Sequence, residues 1–349
     1  MGFASSSLAL PSADQMVAGV AGRRFLIEMA AKSSAEAHSA VFDMGLALCH
    51  GSTGGLERFE RDLLRAIDAA QLPREQTEIR AALWRSIQEA VYWEVPSSLS
   101  LVANIASLRD ALLSLAHSLT DAGSVADAFT PEVGQATFEG QWTPRRVSVT
   151  DWRRAWERDN DAFRRLRNRR LWLAGQRRRP LAGAWWSAPL GLPCTSDLWV
   201  GGVPALQYTL EDDPGGTDAV SRMVASGPAS TLVISDASVW TQLVADYPLV
   251  VTPVVADEWG QAFGRDGEWA IPDWEQVAAK WDAVYLPLGV YLACAGQMLE
   301  VDPSTATAIA GFAAGTTYWL TEEPQLVPTV NRWVRAEDGR VWVASANGS

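Results

Sequence analysis

Between Asp257 and Leu299 the chain sets Trp259, Trp269, Trp274 and Trp281 among the acids Asp257, Glu258, Asp266, Glu268 and Asp273. Two carboxylates opposed across a cleft can do the acid–base work of glycoside hydrolysis. Indole rings beside them supply the walls of a recessed site. The same composition also suits solvated turns over an ordinary aromatic core. A second group, Trp185-Trp186-Ser187, offers stacking and a hydroxyl. With no histidine after His117 it argues against a Ser–His hydrolase. A third, Trp281-Asp282-Ala283-Val284-Tyr285, puts an acid and a phenol on one expected strand.

Cationic groups are concentrated elsewhere. Between Arg145 and Arg179 there are 13 arginines against four acids, although the whole chain carries a net charge of −12. The spacing of Trp152, Trp156, Phe163, Leu166 and Leu173 predicts a helix with one apolar face. Its arginines form either a solvated face paired to nearby acids or a site for an anion or an acidic protein partner. The overall acidity argues against nucleic acid as a partner, since that binding rests on phosphate neutralisation.

No strong catalytic motif is present: the zinc-helix, nucleophile-elbow, dinucleotide and kinase patterns are all missing. Three scattered cysteines, Cys49, Cys194 and Cys294, read as free thiols, and three histidines are too few and too dispersed for a metal site. No apolar run suits a membrane span, and MGFASSSLALPSADQM lacks the pattern of a signal peptide, so a cytoplasmic protein with no membrane partner is expected.

The elements that must position these groups change character along the chain. With 48% hydrophobic and 20% charged residues, 349 residues are enough for two packed units. The spacing of apolar residues predicts an N-terminal helical bundle over 1–120, opened by a capping box at Ser12–Gln15 and including an amphipathic helix over Leu56–Leu72. Residues 121–150, richer in Gly, Pro and Thr, read as a linker with a short strand pair. Residues 151–349 read as the Arg/Trp helix followed by a mixed α/β domain. Strands are expected ending at Trp185–Pro189, over Ala205–Leu210 (ALQYTL), over Ala283–Leu286 and over Thr317–Leu320. A hairpin spans Arg332–Val343, turning at Asp338-Gly339. The fold class is therefore α+β.

WWSxP (185–189), DWxxVAxxWDAVYL (273–286) and YLxxAG (291–296) resemble a group of Trp-rich actinobacterial proteins with a helical N-terminal half, across roughly residues 80–320. That resemblance implies no activity. The chain also resembles ADP-ribosyltransferase folds, which set an aromatic–serine strand in mid-domain and a catalytic glutamate on a late strand. Trp186-Ser187 and the Glu322 that ends Thr317–Glu322 match those parts, whereas the opening Arg or His strand and the full Ser-Thr-Ser run are missing. Two functions are expected on this basis. One is an enzyme whose pocket, lined by Trp186, Ser187, Trp259, Trp269, Trp274, Trp281 and Tyr285, takes a nucleotide-like or other small planar ligand, with NAD as the cofactor the resemblance implies. Arg164, Arg165 and Arg167 would meet an anionic group, and Glu268 or Glu322 would be the working carboxylate. The other is a non-catalytic immunity- or adaptor-type protein whose Arg-rich helix recruits an acidic partner.

Overall fold

The computed structural model describes residues 10–51, 55–90, 96–121, 123–140, 146–172, 184–213, 215–336 and 341–345, with the side chains of 124 and 169–172 excepted. The N-terminal part is helical: α1 (Ala13–Ala18), α2 (Val20–Ala31), α3 (Ala35–Cys49), α4 (Leu56–Asp68), α5 (Gln76–Gln88), α6 (Ser98–Ala103), α7 (Arg109–Asp121) and α8 (Gly123–Ala128). Then follow β1 (Pro131–Gly140), α9 (Val149–Trp172), β2 (Cys194–Trp199), β3 (Val203–Pro204), α10 (Leu206–Thr209), β4 (Asp218–Met223) and β5 (Thr231–Val233). Next come α11 (Ala237–Asp246), β6 (Pro248–Val250), α12 (Thr252–Phe263), β7 (Glu268–Pro272), α13 (Trp274–Val277) and β8 (Ala283–Leu286). The chain ends with α14 (Leu288–Cys294), β9 (Met298–Glu300), β10 (Thr305–Ala308), β11 (Thr316–Trp319), β12 (Asn331–Arg335) and β13 (Trp342–Ala344).

Local chemistry sets the helix starts. Ser12 accepts from the Gln15 amide while the Gln15 side chain reaches back, which is the capping box expected from the sequence. Ser34 and Ser97 cap α3 and α6 in the same way through a single side-chain bond. In α4, Leu63 and Ile67 face the core and Glu57 opens the first turn, where the helix dipole favours an acid.

The strands form a larger sheet in the order β13-β12-β4-β1-β2-β11-β8-β5, with β3 paired to β2, and a smaller one in the order β6-β7-β10-β9. The described pairings are antiparallel except β5 with β8 and β7 with β10. The C-terminal hairpin is present as β12 paired with β13, Val334 facing Val343. Its Asp338-Gly339 turn lies outside the described residues. The architecture is α+β, with helices first and mixed sheets after.

The structure departs from the sequence reading in three places. Residues 121–150 are not only a connection: α8 and β1 fall there, and β1 sits mid-sheet between β4 and β2. A register shift between Pro131 and Gln135, with Gly134 at φ +107, breaks the alternation that would have announced so long a strand. ALQYTL is not a strand but the one-turn helix α10. The Ser196 hydroxyl accepts from the Leu206 amide at 2.8 Å, and Thr209 Oγ1 shares its single proton between the carbonyls of Ala314 and Ala205 at 2.8 and 3.1 Å. Residues 184–187 form irregular backbone rather than a strand end.

Both halves contribute to one hydrophobic core, which runs from Met16 and Phe25 through Phe129 and Trp199 to Tyr291 and Phe312. The turn from α1 into α2 sits directly on the end of α14. A Cβ on Gly22 would lie 2.1 Å from the Met16 carbonyl oxygen and 2.9 Å from that of Leu292, so only glycine fits. Arg80 reaches from α5 to the carbonyls of Ala128 and Val200 at 2.9 Å each, tying helices to sheet. No helix among the described residues is long and apolar enough to cross a membrane.

Candidate functional site

The tryptophans expected to line a pocket are mostly packing. Trp259, Trp269 and Trp274 are fully buried. Trp259 and Trp269 meet edge to face at 5.3 Å, and Trp274 packs with Trp240 and Phe312. Two of their indoles do structural work. Trp259 Nε1 donates to the Trp185 carbonyl at 2.8 Å and Trp274 Nε1 to the Ser187 carbonyl at 3.1 Å. A buried irregular segment needs such partners for its peptide groups, and that is why 184–187 can run through the core without being a strand. Ser187 is fully buried, its hydroxyl donating to the Ala310 carbonyl and accepting from the Ala310 amide. Trp186 is half-buried against Trp156 and Trp185, and Trp281 is half-buried with Lys280 Nζ 5.6 Å from its ring centroid.

The expected charged groups are dispersed. Glu268 is exposed at the start of β7 in the smaller sheet, while Glu322 is exposed in the turn after β11 of the larger one. Asp273 is buried, caps α13 and accepts from Arg153 Nε at 2.8 Å. Arg167 is an internal strut, donating to the Pro253 carbonyl and to Asp257 at 2.6 Å, and so holds α9 to α12. Arg164 and Arg165 stay exposed, and Arg164 pairs with Asp161 one turn earlier. The arginines of 169–179 lie outside the described side chains.

Tyr285 belongs to a different arrangement. Its hydroxyl donates to Asp197 Oδ2 at 2.5 Å, Gln135 Nε2 donates to Asp197 Oδ1 and to Thr317 Oγ1, and Thr195 Oγ1 donates to Gln135 Oε1. Burial pushes the Asp197 carboxyl up to about 6, with the bonds from Tyr285 and Gln135 pulling the other way. Burial first, then the Asp197 charge, raises the Tyr285 phenol. This polar seam crosses one face of β1, β2, β11 and β8.

The opposite face of β1, β2 and β11 carries a cavity of about 150 Å³. Phe138 of β1, Cys194 of β2 and Tyr318 of β11 floor it, Leu206 and Gln207 of α10 and Leu210 roof it, and Leu190–Pro193 and Trp342 of β13 close its sides. The walls are largely apolar. Besides the rim charges, Gln207 is a polar residue of the lining: it is 2% exposed, and neither its amide nitrogen nor its amide oxygen has a hydrogen-bond partner among the described residues. The buried indole N–H of Trp342 is likewise unpartnered among them. Buried polar groups are nearly always paired; these three atoms each have essentially no accessible surface, so they sit behind the cavity walls rather than opening into the space.

The scaffold around Gln207 is rigid. Its one-turn helix is held by the Ser196 cap and the two Thr209 bonds, and by Gln88 of α5, which donates to the Leu210 carbonyl at 2.8 Å. Tyr208 beside it stacks on Trp199. On the far wall Trp342 meets Phe138 edge to face at 5.3 Å, and the Arg335 guanidinium lies 4.6 Å from its ring centroid. Arg335 also pairs with Asp213 and donates to the Gly216 carbonyl.

Charges at the rim are matched: Glu139 with Arg146 at 2.6 Å, Asp213 with Arg335. Burial raises the Cys194 thiol to about 11 and raises the Tyr318 phenol, so both stay protonated near neutral pH. Among the described residues no group of three or more His, Cys, Asp or Glu is arranged to hold a metal ion. A second cleft of about 420 Å³ adjoins the cavity, sharing Arg146, Leu192 and Pro193 with it and carrying Glu322 and Glu323.

The sequence reading missed Gln207 because ALQYTL looks like an ordinary alternating strand, in which a glutamine would face solvent. No local signal could reveal its burial, since the cavity is assembled from segments between residues 137 and 342. Compared with family models, curated proteins and solved structures, the chain matches none.

Proposed function

We propose that this protein binds a small, planar, uncharged molecule in the cavity between α10 and the face of β1, β2 and β11. The observation that carries this reading is the cavity itself, about 150 Å³ with largely apolar walls under a one-turn helix held by Ser196, Thr209 and Gln88. An engineered apolar cavity of about this size accepts benzene, so the ligand, or the part of it that enters, is a single ring. Paired rim charges favour neutrality over charge.

Binding is better supported than chemistry inside the cavity itself, because its thiol and phenol are protonated and its acids ion-paired. One observation favours an enzymatic extension: Glu322 lines the cleft that shares a wall with the cavity. In that form the nicotinamide ring of NAD, a cation rather than the neutral ring proposed above, would occupy the cavity and Glu322 would act beside it, as ADP-ribosyl transfer requires. The test is a thermal-shift and tryptophan-fluorescence screen of ring-sized compounds against the wild type and Leu206→Trp, which fills the roof. Ligands that raise the melting temperature of the wild type only support the site, as mass action requires. Equal shifts in both proteins would place binding elsewhere. Loss of turnover of NAD in Glu322→Gln with ring binding retained supports the enzymatic form; turnover unaffected by that change sinks it.

A further inference from the structure

Away from the sheet, the helical half holds a cleft of about 380 Å³. Ala31 and Lys32 at the end of α2, Ser34 and His38 at the start of α3, and Arg85 in the last turn of α5 line it. We infer that this cleft binds a phosphate group, free or carried on a small molecule. Every polar side chain of its lining can donate a hydrogen bond, and lysine and arginine can do nothing else. The Ser34 hydroxyl already accepts from the Ala37 amide at 3.0 Å, which leaves its proton to give. His38 is exposed one turn beyond Ser34, on the same face of α3. Among the described residues no carboxylate lines the space.

Helix electrostatics accounts for each cation singly, since positive side chains suit helix C-termini. It does not account for Lys32 and Arg85 converging with His38 on one space, in a chain of net charge −12. Lys32 has no ion-pair partner among the described residues. Arg85 meets Glu28 at 3.7 Å, well beyond the about 2.7–2.9 Å of a close charge-assisted bond, so its guanidinium keeps donors to offer. That contact also places the guanidinium beside the last turn of α2, since Glu28 stands one turn before Lys32. Donors arriving from three helices suit a tetrahedral oxyanion, whose oxygens point several ways, better than a carboxylate, whose two oxygens share a plane. Guanidinium forks and lysine ammonium groups are the side chains that bind phosphate most readily. The volume, within the range of small-molecule sites, leaves room for the group that carries the phosphate.

The chain's three histidines make the test specific. His38, His50 and His117 give three imidazole signals in NMR of histidine-labelled protein, and His38→Gln identifies the first. His50 lies roughly 18 Å further along α3. Inorganic phosphate, glycerol phosphate and acetate are titrated at fixed pH, with sodium chloride holding the ionic strength constant. Phosphate should move the His38 signal saturably and leave His50 and His117 in place, while acetate leaves all three. Lys32→Gln should keep the wild-type melting temperature and weaken phosphate about tenfold or more, the loss of one charged hydrogen bond. Arg85→Gln should act alike, and if it fails to fold, Lys32→Gln still decides. Glycerol phosphate binding at least as tightly as phosphate assigns the cleft to a phosphoester; phosphate binding alone assigns it to the free ion. A His38 signal that stays put, moves without saturating or answers acetate equally would overturn the inference. So would an equal response of all three histidines, or a phosphate affinity unchanged in Lys32→Gln.

Discussion

The Tyr285 hydroxyl reaches across β11 to donate to Asp197 Oδ2 at 2.5 Å, linking β8 to β2 over the strand that separates them. Gly315 leaves the room: a Cβ there would sit 3.4 Å from that oxygen, and its φ of +64 also favours glycine. The bond favours the ionised carboxylate, yet burial outweighs it and the folded Asp197 carboxyl stands at about 6 against an ordinary 3.8.

The sign of the pH effect follows. Between those two values the folded state holds a proton that the unfolded state has released, so stability falls as pH rises through the window and levels off above it. A shift of about two units corresponds to on the order of 3 kcal/mol. Urea unfolding of wild type and Asp197→Asn from about pH 4 to about pH 7 isolates this group. The difference between the two should move against the wild type as pH rises. A difference that stays flat or moves the other way would refute the buried, proton-holding carboxyl.

Gly22→Ala and Gly260→Ala should have opposite signs. At Gly22 the added methyl meets the Met16 carbonyl oxygen at 2.1 Å, a backbone atom that cannot step aside, so α1, α2 and the end of α14 must separate. A loss of about 3 kcal/mol or more is expected, at the upper end for overpacking. At Gly260, inside α12, the nearest atom is the Arg265 carbonyl oxygen at 3.4 Å. The better helix propensity of alanine should therefore add up to about 1 kcal/mol. Chemical denaturation of both variants decides the matter, and equal effects would remove the close-approach argument.

What the sequence made legible was local. Ser12 and Gln15 cap each other within one turn, α4 declares its face through Leu63 and Ile67, and β8, β11 and the β12–β13 pair keep the residue types of strands. What it hid depends on contacts between distant segments. Trp259 donates to Trp185 across 74 residues, and nothing in either neighbourhood shows that these indoles are core rather than pocket. α10 is helical because Ser196, ten positions earlier, supplies its cap. The candidate site suffers most, because Gln207, Cys194, Tyr318 and Trp342 meet only once the sheet has formed.

Arg153 and Arg164, eleven positions apart on α9, should behave oppositely when cut to alanine. Arg153 pairs with Asp273, whose side chain is 3% exposed, so its loss leaves a buried carboxylate without its cation. Breaking such a pair costs about 3–5 kcal/mol. Arg164 is exposed and pairs with exposed Asp161, where about 0–0.5 kcal/mol is expected. Thermal denaturation of the two variants tests this. Similar losses would mean that α9 is not docked through Arg153, whereas the expected split frees Arg164 and Arg165 for neutralisation in partner-capture experiments without harming the fold.

Thiol labelling gives an independent view of the cavity. Cys49 is exposed, whereas Cys194 and Cys294 have thiols raised to about 11 by burial. Near pH 8 only about one part in a thousand of such a thiol is thiolate, the reactive form. With a disulfide reagent, Cys49 should react in a fast first phase and the other two slowly, with rates climbing about tenfold per pH unit below their raised values. Cys194 floors the cavity and Cys294 does not, so a ring-sized ligand at saturating concentration should slow Cys194 alone. Peptide mass spectrometry of time points separates the three sites. Fast labelling of Cys194, or equal protection of Cys194 and Cys294 by ligand, would show that the ligand does not rest on the floor formed by Phe138, Cys194 and Tyr318.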